Sequence, residues 1–332
     1  MVHVLHMTTW HPYIDGLAGV FVTEQCAALQ RHGIRTGLVF SRLAGLRGLP
    51  ARLLGRAMPG SVRMGEPVPT VGFKSAAIPG MRKLVEPFNT WMLQRQFAAY
   101  VRRYGKPDLI HGHVALETGR AARLLSAKNN IGYVITEHSS EILNGNLSDE
   151  RRATARLAYM HARDVLVVSP ALEQSVARIA PKASLRIVNN LVADTVFAKR
   201  RPKENGRAIV RLATLSSLVP DKRIDWALEA VARLSEDWNG RIELVVIGDG
   251  PERARLEMLA RTLGAPAVFC GSLPHDAAID ALADMDALLH PSRYETFGMV
   301  LVEAMALGLP VVATRSGGPE SFVTPDNGIL VE

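Results

Sequence analysis

Short apolar runs alternate along this chain with stretches in which apolar side chains return every third or fourth position. Runs at 2–7, 35–40, 107–113, 132–138, 164–169 and 185–188 read as buried strands. Between them, Val22, Cys26 and Leu29 mark a helix stopped at His32-Gly33, and Leu84, Phe88, Trp91, Met92 and Phe97 mark a long one over 81–104. A further helix begins at 117–125. The second half repeats the scheme with strands at 211–215, 242–247, 287–289 and 311–314. Its helices are carried by Ile224, Ala227, Leu228 and Val231, by 277–283 and by 299–307. Strand-helix alternation predicts an α/β fold of open parallel sheets, which bind ligands beyond the carboxyl ends of their strands. A chain of 332 residues is long for one core, so two domains are expected. Their predicted bounds are 1–197 and 207–332, with a linker at 198–206 where five charges crowd into 199–205.

Composition narrows the class. Apolar residues make up 48% and charged residues 21%, which excludes a disordered chain. Two cysteines, Cys26 and Cys270, cannot build a disulfide framework and predict a reducing, cytoplasmic setting. The start of the chain lacks the basic leader and apolar core of a signal peptide. Residues 297–314 approach membrane-spanning length, but Glu303, Gly308 and Pro310 divide them into helix, turn and strand. The net charge of +7 is concentrated early: residues 1–105 hold 13 Lys and Arg against 4 Asp and Glu, which calls for an anionic partner there. Segment 41–65 carries Arg42, Arg47, Arg52, Arg56 and Arg63 with interleaved leucines and no acid. Such pieces suit an anionic membrane surface, with Arg47, Arg52 and Arg56 as the expected contacts; a solvated loop is the alternative. No aromatic lies between these arginines, so a nucleic-acid platform is not expected.

The chemistry gathers around 290–303. Glu295 falls in the loop after strand 287–289 and Glu303 on the helix that follows, eight positions later, a span of roughly 12 Å at most. The free amides of Phe297, Gly298 and Met299 at the helix start would sit between them, and such a start favours phosphate. Glu303 is the only charge between Phe297 and Thr314, and a buried carboxylate costs several kcal/mol unless something pairs with it. Two acids flanking a phosphate cradle suit a sugar nucleotide. Gly16 and Gly19, after the first strand, bring backbone amides close to a phosphate or form an ordinary turn; their spacing is not the dinucleotide fingerprint, and NAD is not expected. Asp284-Met-Asp286 precedes its strand, so it is not read as a metal-binding pair. His111, His113 and His138 lack a neighbouring carboxylate cluster, and no metal is expected on them.

Pro291-Ser292 before Glu-x7-Glu, together with 304–310 and 312–318, closely resembles family 4 of the glycosyltransferases. These are retaining enzymes of the GT-B fold, two Rossmann-like parallel-sheet domains facing across a cleft. The resemblance implies that Glu295 binds sugar hydroxyls and steadies the anomeric carbon, and that Glu303 binds the nucleotide ribose. It gives Lys222 to the diphosphate, Gly16 or Gly19 to the same group, and Gly248 and Gly250 to the nucleotide's edge. His138 matches a histidine touching the transferred sugar or its phosphate. Ser217 stands where the family usually has an arginine on the diphosphate. The resemblance also implies a closing helix that crosses back onto the first domain; it is expected to be absent from this sequence, leaving the second domain incomplete at its end. The implied activity moves a hexose from a nucleotide sugar to a glycan or lipid-linked acceptor, in polysaccharide or glycolipid synthesis, with neither metal nor cofactor. It would operate in the cytoplasm or at the inner face of the membrane. A sugar-nucleotide 2-epimerase and a non-catalytic sugar-nucleotide-binding protein are the alternatives.

Overall fold

The computed structural model describes residues 1–11, 19–44, 60–65, 67–76, 82–202 and 208–332. Gly16, Arg47, Arg52 and Arg56 lie outside the described residues. The chain divides into two units, Met1–Leu191 and Val192–Glu332. Residues 192–197, expected at the end of the first domain, belong to the second, because Val196 is buried in that unit's core beside Leu301, Ala304 and Leu307.

The first unit is built on β1 (His3–Thr8), β2 (Arg35–Ala44), β3 (Gly60–Met64), β4 (Thr70–Ala76), β5 (Leu109–His113), β6 (Gly132–Glu137), β7 (Val165–Val167) and β8 (Leu185–Ile187). They form one sheet in the order β3-β4-β2-β1-β5-β6-β7-β8, parallel except for β3, which runs against β4. Helices return the chain between most parallel strands, and both faces of the centre are covered, so all six residues of β1 are buried. Helix Val20–Arg31 covers one side with Val22 and Cys26, and Arg82–Tyr104 packs beside β2 and β4 with Leu93, Phe97 and Tyr100. Three later helices start on serine caps: Ser139, Ser148 and Ser169 accept from the amides of Glu141, Arg151 and Leu172. Each such cap contributes about 1 kcal/mol. The β3-β4 pair was not visible in the apolar pattern, and β2 continues four residues past the expected 35–40.

The second unit uses β9 (Val210–Leu215), β10 (Ile242–Ile247), β11 (Ala267–Gly271), β12 (Ala287–His290), β13 (Val311–Thr314) and β14 (Gly328–Val331). Its sheet is wholly parallel in the order β11-β10-β9-β12-β13-β14. The order reverses direction at β9, and β12 lies on the far side of it from β10, the arrangement that opens a crevice at the carboxyl edge. Helix Ile224–Asp237 buries Ile224, Ala227, Leu228 and Val231 on one stripe. Cys26 is buried and Cys270 exposed, each a free thiol. Among the described residues no helix is long and apolar enough to cross a membrane.

Candidate functional site

In the second unit, β12 ends at His290, whose ring is buried like Leu288 because a strand alternates sides. Three backbone bonds pin the loop that follows. Arg293 donates to the Asp221 carbonyl at 2.7 Å and Glu295 to the Ser316 carbonyl at 2.9 Å; Gly318 donates to the Glu295 carbonyl at 2.7 Å. The Glu320 carboxylate accepts from the Gly317 amide at 2.9 and 3.1 Å, which fixes the facing turn. Glu295 is therefore held in place by its backbone before its side chain makes any contact.

That side chain is organised asymmetrically. Lys222 Nζ, at the end of the turn Pro220–Lys222, lies 2.7 Å from Glu295 Oε2, and His290 Nε2 lies 3.1 Å from the same oxygen. Burial alone would raise the Glu295 carboxyl. The His290 hydrogen bond and the Lys222 charge outweigh it and hold the group down at about 2. Glu295 is thus ionised near neutral pH, and His290 must carry its proton on Nε2, since a carboxylate oxygen only accepts. Both partners use Oε2, so Oε1 has no partner among the described residues. Lys222 spends one of its three N-H donors on Glu295 and keeps two.

Helix Met299–Ala306 starts beneath this carboxylate. Gly298 has φ 99°, a backbone conformation that a side chain resists, and a Cβ there would sit 2.9 Å from Leu301 Cδ1 and 3.4 Å from Glu295 Cγ. The Gly298 carbonyl accepts from Leu301, and the amides of Gly298, Met299 and Val300 have no acceptor among the described residues. Phe297 is buried against Phe322, with ring centroids 5.2 Å apart. Farther along the helix, Glu303 is 8% exposed and its Oε1 pairs with His275 Nε2 at 2.8 Å. The partner that this lone charge required is therefore a histidine 28 residues earlier. Its position just after Pro274, at the first turn of helix His275–Ala283, was not singled out in the sequence. Glu303 Oε2 has no partner among the described residues.

Gly248 and Gly250 follow β10, and their lack of side chains lets two loops touch. A Cβ on Gly248 would meet the Ser216 carbonyl oxygen at 1.8 Å, and one on Gly250 would meet that of Leu218 at 2.4 Å. Leu218 donates to the Asp249 carbonyl at 3.0 Å, which leaves Ser217 exposed at the crest. Asp284 and Asp286 are occupied elsewhere: the first pairs with Arg201 and the second accepts from the Arg211 amide at 2.8 Å.

In the first unit the carboxyl ends of β1, β5 and β6 gather four histidines. His6 and His111 are register partners on adjacent parallel strands, and His113, two residues on, shares their face. His138 follows β6. His6 Nδ1 lies 3.1 Å from His113 Nε2, and His113 Nδ1 lies 3.4 Å from His138 Nε2, while His111 Nε2 bonds Thr136 Oγ1 at 2.6 Å. Desolvation lowers all four rings, with nearby histidines adding to the effect on His6, His113 and His138; His111 falls to about 4 and His138 to about 3. His138 packs against Phe21 at 4.7 Å and Trp10 at 6.4 Å. Gly19, at the start of helix Val20–Arg31, leaves no room for a side chain beneath the Trp10 carbonyl. Glu137, the last residue of β6 and next to His138, turns inward. It is 0% exposed and accepts from the amides of Ala115, His138 and Ser139 and from the Tyr159 hydroxyl at 2.5 Å. Between His113 and that turn, Val114 has φ 68°, a conformation that costs a β-branched residue about 1–3 kcal/mol and marks a constrained site. Among the described residues, His6, His111 and His113 each offer a nitrogen within 4.8 Å of the other two. The rings are roughly parallel, at 19–38° to one another, and bring no negative charge to offset a buried cation.

Comparison with known proteins accounts for this arrangement. A family model described as Glycosyl transferase 4-like domain matches residues 18–190, and one described as Glycosyl transferases group 1 matches residues 197–332. A GDP-mannose-dependent alpha-mannosyltransferase of Mycobacterium tuberculosis is 35% identical over 157 residues, 47% of this chain and 36% of that protein. TuaC of Bacillus subtilis, a glycosyltransferase named for teichuronic acid biosynthesis, is 27% identical over 334 residues, 95% of this chain and 81% of its own length. The chain thus spans little more than a third of the first relative and most of the second. Among solved structures, sucrose-phosphate synthase of Thermosynechococcus elongatus superposes with a TM-score of 0.79 at 22% identity, covering 100% of this chain and 86% of that one. With both halves matched in order and two parallel-sheet units in place, this chain belongs to the group 1, family 4-type glycosyltransferases and has the GT-B fold.

Proposed function

We propose that this glycosyltransferase moves a hexose from a nucleotide diphosphate sugar to a hydroxyl of a glycan or lipid-linked acceptor, with retention of configuration and without a metal. One observation carries the reading. Glu295 has one carboxylate oxygen fixed by Lys222 and His290 and the other free, beside an open helix start whose far side holds Glu303 with one free oxygen. Glu295 Oε1 accepts from sugar hydroxyls and its charge steadies the positive anomeric carbon as the glycosidic bond to phosphate breaks. The departing diphosphate gathers negative charge, which the two remaining Lys222 donors and the amides of Gly298 to Val300 meet; fixed donors aimed at developing charge are the largest catalytic term available here. Glu303 Oε2 accepts from the ribose. Phe297 and Met299 frame the phosphate, Gly248 and Gly250 border the nucleotide, and Ser217 leaves that edge one cation short. His138 contacts the transferred sugar or its phosphate, and Gly19 the diphosphate. The basic first third, including Arg47, Arg52 and Arg56, meets an anionic membrane surface carrying the acceptor.

Incubation with radiolabelled nucleotide sugars and lipid or glycan acceptors tests the activity, with anomeric configuration read from the product. Label appearing in a new glycoside supports transfer. An epimerised nucleotide sugar formed with water as the only acceptor, or tight binding with no product from any donor, replaces the reading by one of its two alternatives. Glu303→Ala is expected to weaken nucleotide affinity roughly 10- to 100-fold by calorimetry, because a hydrogen bond to a charged group is worth about 1.5–3 kcal/mol. Unchanged affinity removes Glu303 from the ribose.

A further inference from the structure

We infer that His6, His113 and His138 form a polarised row of neutral imidazoles that fixes the tautomer of His138, so that it offers an N-H from Nδ1 to its ligand and acts as a hydrogen-bond donor, not a base. The row is continuous: His6 Nδ1 to His113 Nε2 at 3.1 Å and His113 Nδ1 to His138 Nε2 at 3.4 Å. A neutral imidazole carries one proton, on one nitrogen, and accepts with the other. Each contact needs one proton, so the row has only two polarities. In the first, His138 Nε2-H donates to His113, His113 Nε2-H donates to His6, and His6 keeps its own proton on Nε2. In the second, His6 Nδ1-H donates to His113 Nε2, His113 Nδ1-H donates to His138 Nε2, and His138 keeps its proton on Nδ1.

The far end of the row decides between them. His6 Nε2 is buried with no partner, and the whole side chain is 0% exposed. The first polarity strands an N-H there; the second strands only a lone pair there, and places its unpartnered N-H on His138 Nδ1, which is not among the sealed, unpartnered atoms. Buried orphan N-H groups are rarer and costlier than under-satisfied acceptors. The second polarity is therefore preferred, and it leaves His138 Nδ1 as a donor with no partner among the described residues. Burial keeps all three rings neutral near pH 7, so the two-state count holds there. A donor at His138 suits a phosphate or hydroxyl oxygen of the substrate. That substrate assignment rests on the glycosyl-transfer reading; the tautomer does not. His6 and His113 are positioning residues in this scheme.

The test uses the full chain labelled with 15N histidine, without ligand, near pH 7.5, with His138 assigned by loss of its signals in His138→Asn. Expected are a protonated, pyrrole-type Nδ1 and an unprotonated, pyridine-type Nε2 on His138. His113→Phe keeps the stacked ring but removes the donor to His138 Nε2, so His138 should shift toward the Nε2-H tautomer. The donor-sugar KM should then rise roughly three- to tenfold, the loss of one uncharged hydrogen bond. His6→Phe should leave the His138 tautomer unchanged, because the stranded lone pair moves to His113 Nε2. An Nε2-H tautomer in the wild type overturns the proposal, as does a tautomer insensitive to His113→Phe. A zinc titration that perturbs His6 and His113 together at one equivalent also overturns it, since a bound metal would claim the nitrogens that the row uses. An inactive enzyme with the Nδ1-H tautomer would count against glycosyl transfer alone.

Discussion

Glu295→Gln is expected to lower kcat about 10²- to 10³-fold with little change in nucleotide KM. The substitution keeps the shape and removes the charge. Glutamine's amide nitrogen cannot accept, so either the amide oxygen keeps both Lys222 and His290 and the NH2 turns toward a sugar hydroxyl, or the NH2 takes the place of Oε2 and both donors lose their bond. Removing one preorganised electrostatic partner of a transition state typically costs that range of rate. The nucleotide contacts assigned to Glu303 and the helix start remain, which is why affinity should hold. A stability change should accompany the loss. The Glu295 carboxyl is held down at about 2, so the charged form contributes stability that is present above the unfolded value of 4.5 and is lost as pH falls toward 2. The neutral variant lacks that contribution at pH 7. A structural ion pair without a catalytic role predicts the opposite split: the stability loss with kcat within a few-fold of wild type. Steady-state kinetics and urea unfolding on one preparation separate the two outcomes.

How far the sequence reached depended on whether a signal was local. Glu303 stood out as the lone charge in an apolar segment, and a partner was demanded by desolvation alone; its identity, His275, depended on how helix His275–Ala283 packs near helix Met299–Ala306. His290 immediately precedes the Pro291-Ser292 motif, yet its bond to Glu295 exists only because β12 buries that ring under the loop. His6 gave no signal at all, being one of two histidines in a short apolar run, and only the parallel register of β1 with β5 sets it against His111. The glycines at 248 and 250 are placed by the resemblance at the nucleotide's edge; their visible work is to let the 216–218 loop approach within contact of the turn after β10. The strand pair β3-β4 escaped because Thr70–Ala76 mixes Lys74 and Ser75 with its apolar positions beside the edge strand Gly60–Met64, where burial pressure is weak.

The first unit is expected to lose its fold on mild acidification, between about pH 6 and 4. His6, His111, His113 and His138 are all pushed below their ordinary 6.5 by desolvation, His111 to about 4 and His138 to about 3. As pH falls through 6.5 the unfolded chain takes up these protons and the folded chain does not. Stability from these groups is therefore present above 6.5 and drains as pH drops. One such group changes stability by at most about 1.4 kcal/mol per pH unit, so four reach at most about 5.5. Two carboxyls oppose them. Burial raises Glu117 to about 7, against the Trp10 hydrogen bond, and raises Glu137 despite its four donors. Both bind protons in the fold before they do in the unfolded chain, so Glu117 adds stability as pH falls from 7 to 4.5 and Glu137 acts in the same direction. For these six groups alone, four protons against one or two leave a net loss of roughly 3–4 kcal/mol per pH unit, a large share of the 5–15 kcal/mol that holds a domain, and His3 and His11, also lowered by burial, act in the same direction. Urea midpoints at pH 7.5, 6 and 5 should fall steeply, and His111→Phe should flatten the slope by about one proton. A midpoint constant from pH 7.5 to 5 would mean that the fold charges these rings as readily as water does, and the neutral row at His138 would then lose its basis.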